Sequence, residues 1–112
     1  MREKELVYVA HPYAGKAENI EKCKRKIAEL VKDGRKRVYI SPVLNYQGVP
    51  YEADNYKDGI DLCFELLSQC DALMLTGDWQ SSKGCLAEYG FAVAAGMPII
   101  IEITLKRRDK NE

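Results

Sequence analysis

The chain has 112 residues with 17 basic and 17 acidic side chains, so its formal net charge is zero. This length fits one domain, and the balanced charge gives no electrostatic argument for a nucleic-acid or membrane-surface partner. No segment approaches the roughly 18 apolar residues of a membrane span. The four cysteines form no C-x-x-C pair, and the sequence has one histidine that could join them in a metal site. We therefore expect reduced thiols in a cytoplasmic protein, with neither a metal nor a cofactor.

The first half of the chain predicts two strands and one helix. Residues 5–10, ELVYVA, are typical of a strand, and residues 16–33 carry apolar side chains at three- and four-residue spacing, which predicts a helix. Gly34 is a suitable cap for its end. Residues 37–41, RVYIS, predict the second strand. Residues 42–53 contain two prolines and a glycine, which predicts a long loop.

The second half predicts two more helices and two more strands. A helix is expected from about Asp54 to Gln69, then a strand over residues 71–76, DALMLT. After the loop GDWQSSK, residues 84–96 predict an almost wholly apolar helix that Gly96 closes, and Pro98 begins the strand PIIIEI. We assign residues 1–105 to one domain and residues 106–112 to a charged tail.

The alternation of strands and helices predicts an α/β fold with a small, doubly wound, flavodoxin-like parallel sheet. The third and fourth strands are nearly continuous apolar runs, as expected where helices cover both faces of a sheet. Right-handed connections favour the strand order 2-1-3-4. Ligands of such sheets bind at the carboxyl ends of the strands where the order reverses, which here is between strands one and three.

The loop and first turn before residue 85 have the composition of an anion site. Ser81 or Ser82 can cap the helix through a side-chain hydroxyl, and Gly84 allows close approach to the first turn. Lys83 adds a positive charge at the positive end of the helix dipole. This pattern predicts a phosphate site, and the alternative is an ordinary capped helix.

Glu88 is a charged residue inside that apolar helix. No cation lies three or four residues away, so no partner on the same helix can pair with it. One hypothesis is a carboxylate on the crevice wall that acts as a nucleophile or general base. The alternative is a helix position that faces water.

Five further positions are candidates, each with a plain alternative. Trp79 can stack on a planar base or act as a hydrophobic plug. His11 can be catalytic or a simple loop contact. Tyr8 can reach the crevice with its hydroxyl or belong to the core. Asp58 and Asp61 can turn toward the crevice or lie on a solvated helix face.

Other nucleotide motifs are missing from the sequence. It contains neither G-x-G-x-x-G nor G-x-x-x-x-G-K-[ST], so neither a dinucleotide-binding loop nor a P-loop is supported. The histidine is not accompanied by a nucleophile elbow, which argues against a Ser-His-Asp set.

Three stretches together resemble the nucleoside 2-deoxyribosyltransferase superfamily: VYVAHPYAG, CDALMLTGDW and SKGCLAEYGFAVAAGMPI. The resemblance covers almost the whole chain. It points to a small branch found in phage and Firmicute genomes and labelled as a domain of unknown function. The chain is also similar to the N-glycosidases of deoxynucleoside 5′-monophosphates, which have a serine at the position of Ser82.

The resemblance implies a mechanism and a substrate. Glu88 would attack C1′ of the sugar, displace the base and form a glycosyl-enzyme intermediate, which water or a second base then resolves. Tyr8 would position or tune Glu88, and Ser82 would hold a phosphate or the sugar. The residues expected to line the rest of the substrate pocket are His11, Pro12, Tyr13, Gly15, Trp79, Lys83 and Gly84.

The chain departs from that superfamily in two places. An aspartate that helps to protonate the leaving base is replaced here by Cys63, and Asp61 is the candidate substitute. Better-known members complete the site with a C-terminal segment of a neighbouring subunit, whereas this chain stops soon after its fourth strand, and a homo-oligomer is still expected. A nucleotide-binding or sensing module without catalysis is the alternative function. A flavodoxin-like redox protein is a weaker third one.

Overall fold

A computed structural model describes residues 4–32, 36–46 and 56–102, and these contain a four-stranded parallel sheet. The strands are β1 (Glu5–Ala10), β2 (Arg37–Ile40), β3 (Ala72–Leu75) and β4 (Ile99–Ile101). Their order is β2-β1-β3-β4, and all three pairings are parallel. The predicted α/β class and strand order are therefore confirmed.

Helices connect the strands, and all of them except the second were predicted from the periodicity. They are α1 (Ala17–Val31), α2 (Pro42–Asn45), α3 (Tyr56–Ser68) and α4 (Lys83–Ala95), and a short 3-10 turn at Trp79–Ser81 precedes α4. None of the described helices is long and apolar enough to cross a membrane.

The expectation of a continuous loop over residues 42–53 is wrong at its start, because α2 occupies residues 42–45. Ser41 is the N-cap, and its side-chain oxygen accepts a hydrogen bond of 3.2 Å from the backbone nitrogen of Leu44. Pro42 is tolerated at the first helical position, where its missing N–H has no intrahelical partner to lose.

Several predictions lie outside the described residues. They are the cap at Gly34, the loop residues 47–53, the helix start at Asp54, the last strand residue 103 and the tail 106–112.

The main hydrophobic core lies on one face of the sheet. Tyr8 pairs in register with Leu73, and Ala10 pairs with Leu75. Because alternate residues of a strand face the same side, these four side chains point the same way. They are buried together with Leu67 of α3, with Cys70 after it, and with Cys85 and Ala92 of α4.

The other face of the central strands lies under α1. Val7 and Val9 are completely buried there, as is Cys23 of α1. Right-handed crossovers in this strand order place α1 on one face and both α3 and α4 on the opposite face. At the carboxyl end, the backbone nitrogen and the hydroxyl of Thr76 both donate to the carbonyl of Ala10, at 3.0 and 2.8 Å. These bonds join β1 to β3 where the strand order reverses.

Candidate functional site

Helix α4 carries Glu88 into the protein interior. The helix starts at the Ser82 cap and ends at Gly96, whose φ of 69° is in the left-handed region that glycine adopts without strain. Glu88 is only 5% exposed. The alternative of a water-facing glutamate is therefore wrong, and a carboxyl at this depth needs a polar partner.

That partner is Tyr8, in the middle of β1. Its hydroxyl donates a hydrogen bond to Oε2 of Glu88, and the two residues are 80 positions apart in the chain. Tyr8 itself is completely buried. Its place in the parallel register points its side chain to the face that α4 covers, so the sheet and the helix hold the pair from opposite sides.

Burial is the main cause of the pKa shifts of Glu88 and Tyr8. Loss of solvation raises the pKa of Glu88 to about 7, and the hydrogen bond from Tyr8 offsets part of that rise. The pKa of Tyr8 is raised strongly, first by burial and then by the nearby Glu88 charge. At neutral pH the phenol is therefore a stable hydrogen-bond donor, and Glu88 keeps its proton to a higher pH than an exposed glutamate does. Among the described residues, no cation contributes to the shift of Glu88.

Two thiols flank the pair. Cys63 of α3 packs against the core cluster that contains Tyr8, and burial, followed by the Glu88 charge, raises the pKa of its thiol. Burial raises the pKa of Cys85 to about 12, against a hydrogen bond with Ser82 that lowers it. Both thiols are thus protonated at neutral pH. The sequence identified Cys63 as a departure from a resembling family, but it did not predict this contact.

The start of α4 is built as the sequence predicted. The side-chain oxygen of Ser82 accepts a hydrogen bond of 3.2 Å from the backbone nitrogen of Cys85, which confirms Ser82 as the helix cap. Lys83 is exposed and Gly84 is half-buried in the first turn. The role of this turn in holding a phosphate stays a prediction.

Trp79 lies in the 3-10 turn before α4 and contacts protein on at least one side. Its ring meets that of Tyr89 with centroids 5.7 Å apart, tilted by 41°. It also packs against the core cluster around Tyr8. These contacts match the hydrophobic-plug alternative, and stacking on a base stays a prediction.

His11 directly follows β1 at the carboxyl edge of the sheet. It is 8% exposed, and burial lowers its pKa. Its Nδ1 donates to the carbonyl of Pro12 at 2.9 Å, and the charges that act on it belong to Lys26, Lys22 and Glu102. None of these contacts of His11 involves Glu88, so the place of His11 in a substrate pocket stays a prediction.

The remainder of that loop is organised by its backbone. The carbonyl of Tyr13 accepts hydrogen bonds from the side chain of Asn19 at 2.8 Å and from the backbone of Lys16 at 3.0 Å. Ala14 and Gly15 both have positive φ, 51° and 72°. This tight turn leads the chain into α1, and its part in a sugar and base pocket stays a prediction.

Asp61 is not near Glu88 in this structure. Its side chain on α3 is 57% exposed and pairs with Lys57 at 3.2 Å, an i,i+4 ion pair of the solvated face. Asp58 is exposed as well. A role for Asp61 as the acid would require α3 to rotate, because Cys63 and not Asp61 faces Tyr8.

A separate depression of about 400 Å³ lies on the α1 side of the sheet. It belongs to α1, β2 and the turn around α2, and its lining residues are Ile27, Tyr39, Ile40, Ser41, Leu44 and Asn45. The buried carboxyl is on the other face, so we identify the candidate site by its chemistry and not by this volume. Within the described ranges, no three histidine, cysteine or acidic residues gather as a metal-binding group.

No curated protein matches the chain. The family described as "Domain of unknown function (DUF4406)" matches residues 5–101, which run from the start of β1 to the end of β4 and include Tyr8, Cys63 and Glu88. The chain therefore belongs to the DUF4406 family.

Proposed function

We propose that this protein cleaves the base–sugar bond of a nucleoside or nucleoside 5′-monophosphate, as an N-glycosidase or an N-deoxyribosyltransferase. The observation that carries the proposal is the buried pair of Tyr8 and Glu88. A carboxyl without a cationic partner is costly to keep in a core for packing alone, and perturbed carboxyls of this kind cluster at functional sites. The resemblance to the nucleoside 2-deoxyribosyltransferase superfamily supplies the reaction class.

In the proposed reaction, the carboxylate of Glu88 attacks C1′ of the sugar. The bond from C1′ to the base nitrogen breaks, the base leaves with the electron pair and takes a proton, and an ester joins Glu88 to the sugar. Water or a second base then attacks C1′ and releases the carboxylate. Tyr8 holds Oε2 so that the carboxyl keeps one orientation. A pKa of about 7 makes Glu88 more basic than an exposed glutamate, which favours attack.

The start of α4 supports a phosphate-bearing substrate. Ser82 caps α4 through its side-chain oxygen, which fixes the first turn of the helix where an anion would bind. The first backbone N–H groups of α4 and the charge of Lys83 would also attract an anion. In this proposal His11, Pro12, Tyr13, Gly15, Trp79 and Gly84 complete the pocket around the sugar and base.

The alternative is a module that binds a nucleotide without cleaving it. Cys63 occupies the position of the aspartate that the resemblance would lead one to expect, and the side chain of Asp61 lies in solvent. A site without an acid for the leaving base would bind and not turn over. Thermal stabilisation by nucleotides together with no release of base would support this alternative.

The deciding experiment incubates the protein with a panel of ribo- and deoxyribonucleosides and their 5′-monophosphates, and measures free base by chromatography. We expect release from at least one compound and a loss of at least about 100-fold in Glu88→Gln, because the amide is not a nucleophile. Glu65→Gln, which changes an exposed glutamate of α3, is the matched control and should behave like the parent. Release by Glu88→Gln at the parent rate would overturn the mechanism.

The proposal also includes a cellular location and an oligomeric state. We infer a cytoplasmic location, consistent with cysteines that are all free among the described residues. We also infer a homo-oligomer, for which the apolar outer face of α4 is the candidate contact.

A further inference from the structure

His11 is a buried imidazole whose two ring nitrogens have different surroundings. Nδ1 lies 2.9 Å from the carbonyl oxygen of Pro12. A carbonyl oxygen can only accept a hydrogen bond, so the proton of this contact belongs to Nδ1. Among the described residues, no side chain or backbone group donates to Nε2. Within that part of the chain, the ring therefore has one paired and one unpaired nitrogen.

The ring is neutral at pH 7, which makes Nε2 an acceptor. Loss of solvation is the main cause that lowers the pKa of His11, and the charges of Lys26 and Lys22 lower it as well. The hydrogen bond to Pro12 and the charge of Glu102 act against this shift without reversing it. A neutral imidazole has its proton on one nitrogen and a lone pair on the other. Because buried acceptors are nearly always paired, Nε2 calls for a donor from outside the described chain.

Gly77 lies directly against this ring. It follows β3 with φ of 64°, and a Cβ at its position would be 3.2 Å from Nε2 and 3.3 Å from Cδ2 of His11. The same Cβ would be 3.3 Å from Cδ of Pro12. The two loops cannot simply move apart, because Thr76 donates twice to the carbonyl of Ala10 at their base. A side chain at position 77 would therefore push the ring out of its seat.

We propose that Gly77 is a positioning residue, which seats the His11 ring so that Nε2 accepts a hydrogen bond from an O–H or N–H group of the substrate. His11 follows β1 and Gly77 follows β3, and the strand order reverses between these two strands. Ligands of doubly wound sheets bind at that place. The inference rests on the proposed function for the identity of the ligand, since the sugar hydroxyls of nucleosides and the N–H groups of their bases are such donors.

The test begins with the protonation state of the ring, which needs no ligand. The chain has one histidine, so NMR of protein labelled with ¹⁵N-histidine reports on His11 alone. At pH 7 we expect the parent to carry the proton on Nδ1. A parent that carries it on Nε2 would overturn the inference, because that nitrogen would then be a donor.

Two substitutions test the seat of the ring. Gly77→Ala adds a Cβ to a backbone that alanine adopts with strain, whereas Gly77→Asn adds a Cβ in a residue that tolerates positive φ and takes its place if Gly77→Ala does not fold. In both we expect the ratio of the Nδ1–H to the Nε2–H tautomer to fall at least about 5-fold, which corresponds to one lost neutral hydrogen bond. A parental ratio in Gly77→Asn would overturn the positioning role.

Gly96→Ala is the matched control for the backbone strain. Gly96 has φ of 69°, close to that of Gly77, but no described atom lies within 4 Å of its Cβ position. This variant should therefore lose stability without a change in the tautomer ratio of His11. A change as large as in Gly77→Asn would show that general destabilisation, and not the contact with the ring, moves the proton.

The contact with a ligand is followed on the same ¹⁵N signal. The probes are ribose 5-phosphate and the nucleoside 5′-monophosphates of the activity panel. A donor to Nε2 should shift its signal in the parent, with binding at least about 5-fold weaker in Gly77→Asn. A shift by ribose 5-phosphate assigns the donor to the sugar, and a shift by nucleotides alone assigns it to the base. If none of these probes moves the Nε2 signal, the acceptor role is wrong.

The activity assay separates this inference from the proposed function. A shift of the Nε2 signal without release of base supports the acceptor role while the proposed reaction fails. Release of base from a compound that leaves the Nε2 signal unmoved supports the reaction and overturns the acceptor role. Where both are observed, Gly77→Asn should raise KM more than it lowers kcat, because Glu88 is not among the atoms that a Cβ at position 77 meets.

Discussion

The carboxyl of Glu88 is buried with a neutral partner in place of a cation, and this sets its chemistry. One hydrogen bond from Tyr8 offsets only part of the burial cost, so the pKa rises from its ordinary value of 4.5 to about 7. A rise of that size corresponds to about 3 kcal/mol between the protonated and ionised forms. At the scale of single residues, the ionised form of Glu88 therefore destabilises the folded protein relative to the protonated form.

The first prediction concerns stability and pH. Because the pKa of Glu88 is raised in the folded state, the folded protein binds this proton more tightly than the unfolded chain. The resulting stabilisation is full below about pH 4.5 and is lost as pH rises through about 7. Urea unfolding of the parent and Glu88→Gln should show the parent losing up to about 3 kcal/mol relative to the variant between pH 4.5 and 8.

A difference between parent and Glu88→Gln that stays constant over this pH range would contradict the prediction. Comparing the two proteins at each pH cancels the titration of the other groups, which both share.

The second prediction concerns Tyr8. Tyr8→Phe removes the donor that lowers the pKa of Glu88, so that pKa should rise further and base release should begin at higher pH. At neutral pH we expect a rate at least about 10-fold below the parent, since fewer molecules hold the carboxylate and its orientation is lost. The pH–rate profile of the purified variant measures both effects.

Tyr39→Phe is the control for Tyr8→Phe, because it removes a hydroxyl from β2, away from the pair. An unchanged pH–rate profile in Tyr8→Phe would show that the hydrogen bond to Glu88 does not tune the reaction.

At the scale of elements, α4 has two separable tasks in its first turn. Ser82 closes the helix, and the same turn presents N–H groups to an anion. Within α4 only Lys83 and Glu88 are charged, so the helix depends on its cap and on packing more than on ion pairs.

The third prediction separates these tasks. Ser82→Ala should cost about 1 kcal/mol of stability, because the bond to the Cys85 nitrogen is lost. Ser82→Asp should keep the cap and its stability while repelling a phosphate. Urea unfolding and the ratio of base release from a 5′-monophosphate to that from the nucleoside measure the two effects. Equal ratios in the parent and Ser82→Asp would show that this turn does not bind the phosphate.

At the scale of the whole molecule, α4 leaves an apolar strip uncovered. Leu86, Tyr89 and Val93 are 46%, 38% and 56% exposed and lie three and four residues apart, on one side of the helix. A strip without charges on the outside of a small domain is typical of a contact surface. This supports the inferred homo-oligomer.

The fourth prediction tests that contact. The double variant Leu86→Glu with Val93→Glu should sediment as a smaller species than the parent in analytical ultracentrifugation, because buried unpaired carboxylates oppose association. Val31→Glu is the control, since Val31 is 62% exposed at the end of α1. A monomeric parent, or a double variant that sediments like the parent, would exclude this surface as the contact.

Local patterns were enough to predict most of the fold. The apolar runs of β1 and β3 and the spacing in α1 and α3 depend on neighbours in the chain, so these elements are found within a few residues of their predicted bounds. The cap at Ser82 and the end at Gly96 are equally local. Helix α2 was missed because two prolines and a glycine suggested a loop, although Pro42 is acceptable at a first helical position.

The sequence by itself determined the fold class, the strand order and Glu88 as the residue to explain, because each follows from periodicity, capping residues and the handedness of crossovers. Only the tertiary structure decided that Glu88 is buried, that Tyr8 donates to it, and that Cys63 packs against the cluster that contains Tyr8. It also placed Asp61 in solvent. These outcomes depend on which face of each element meets the sheet, and that is fixed by packing between residues far apart in the chain.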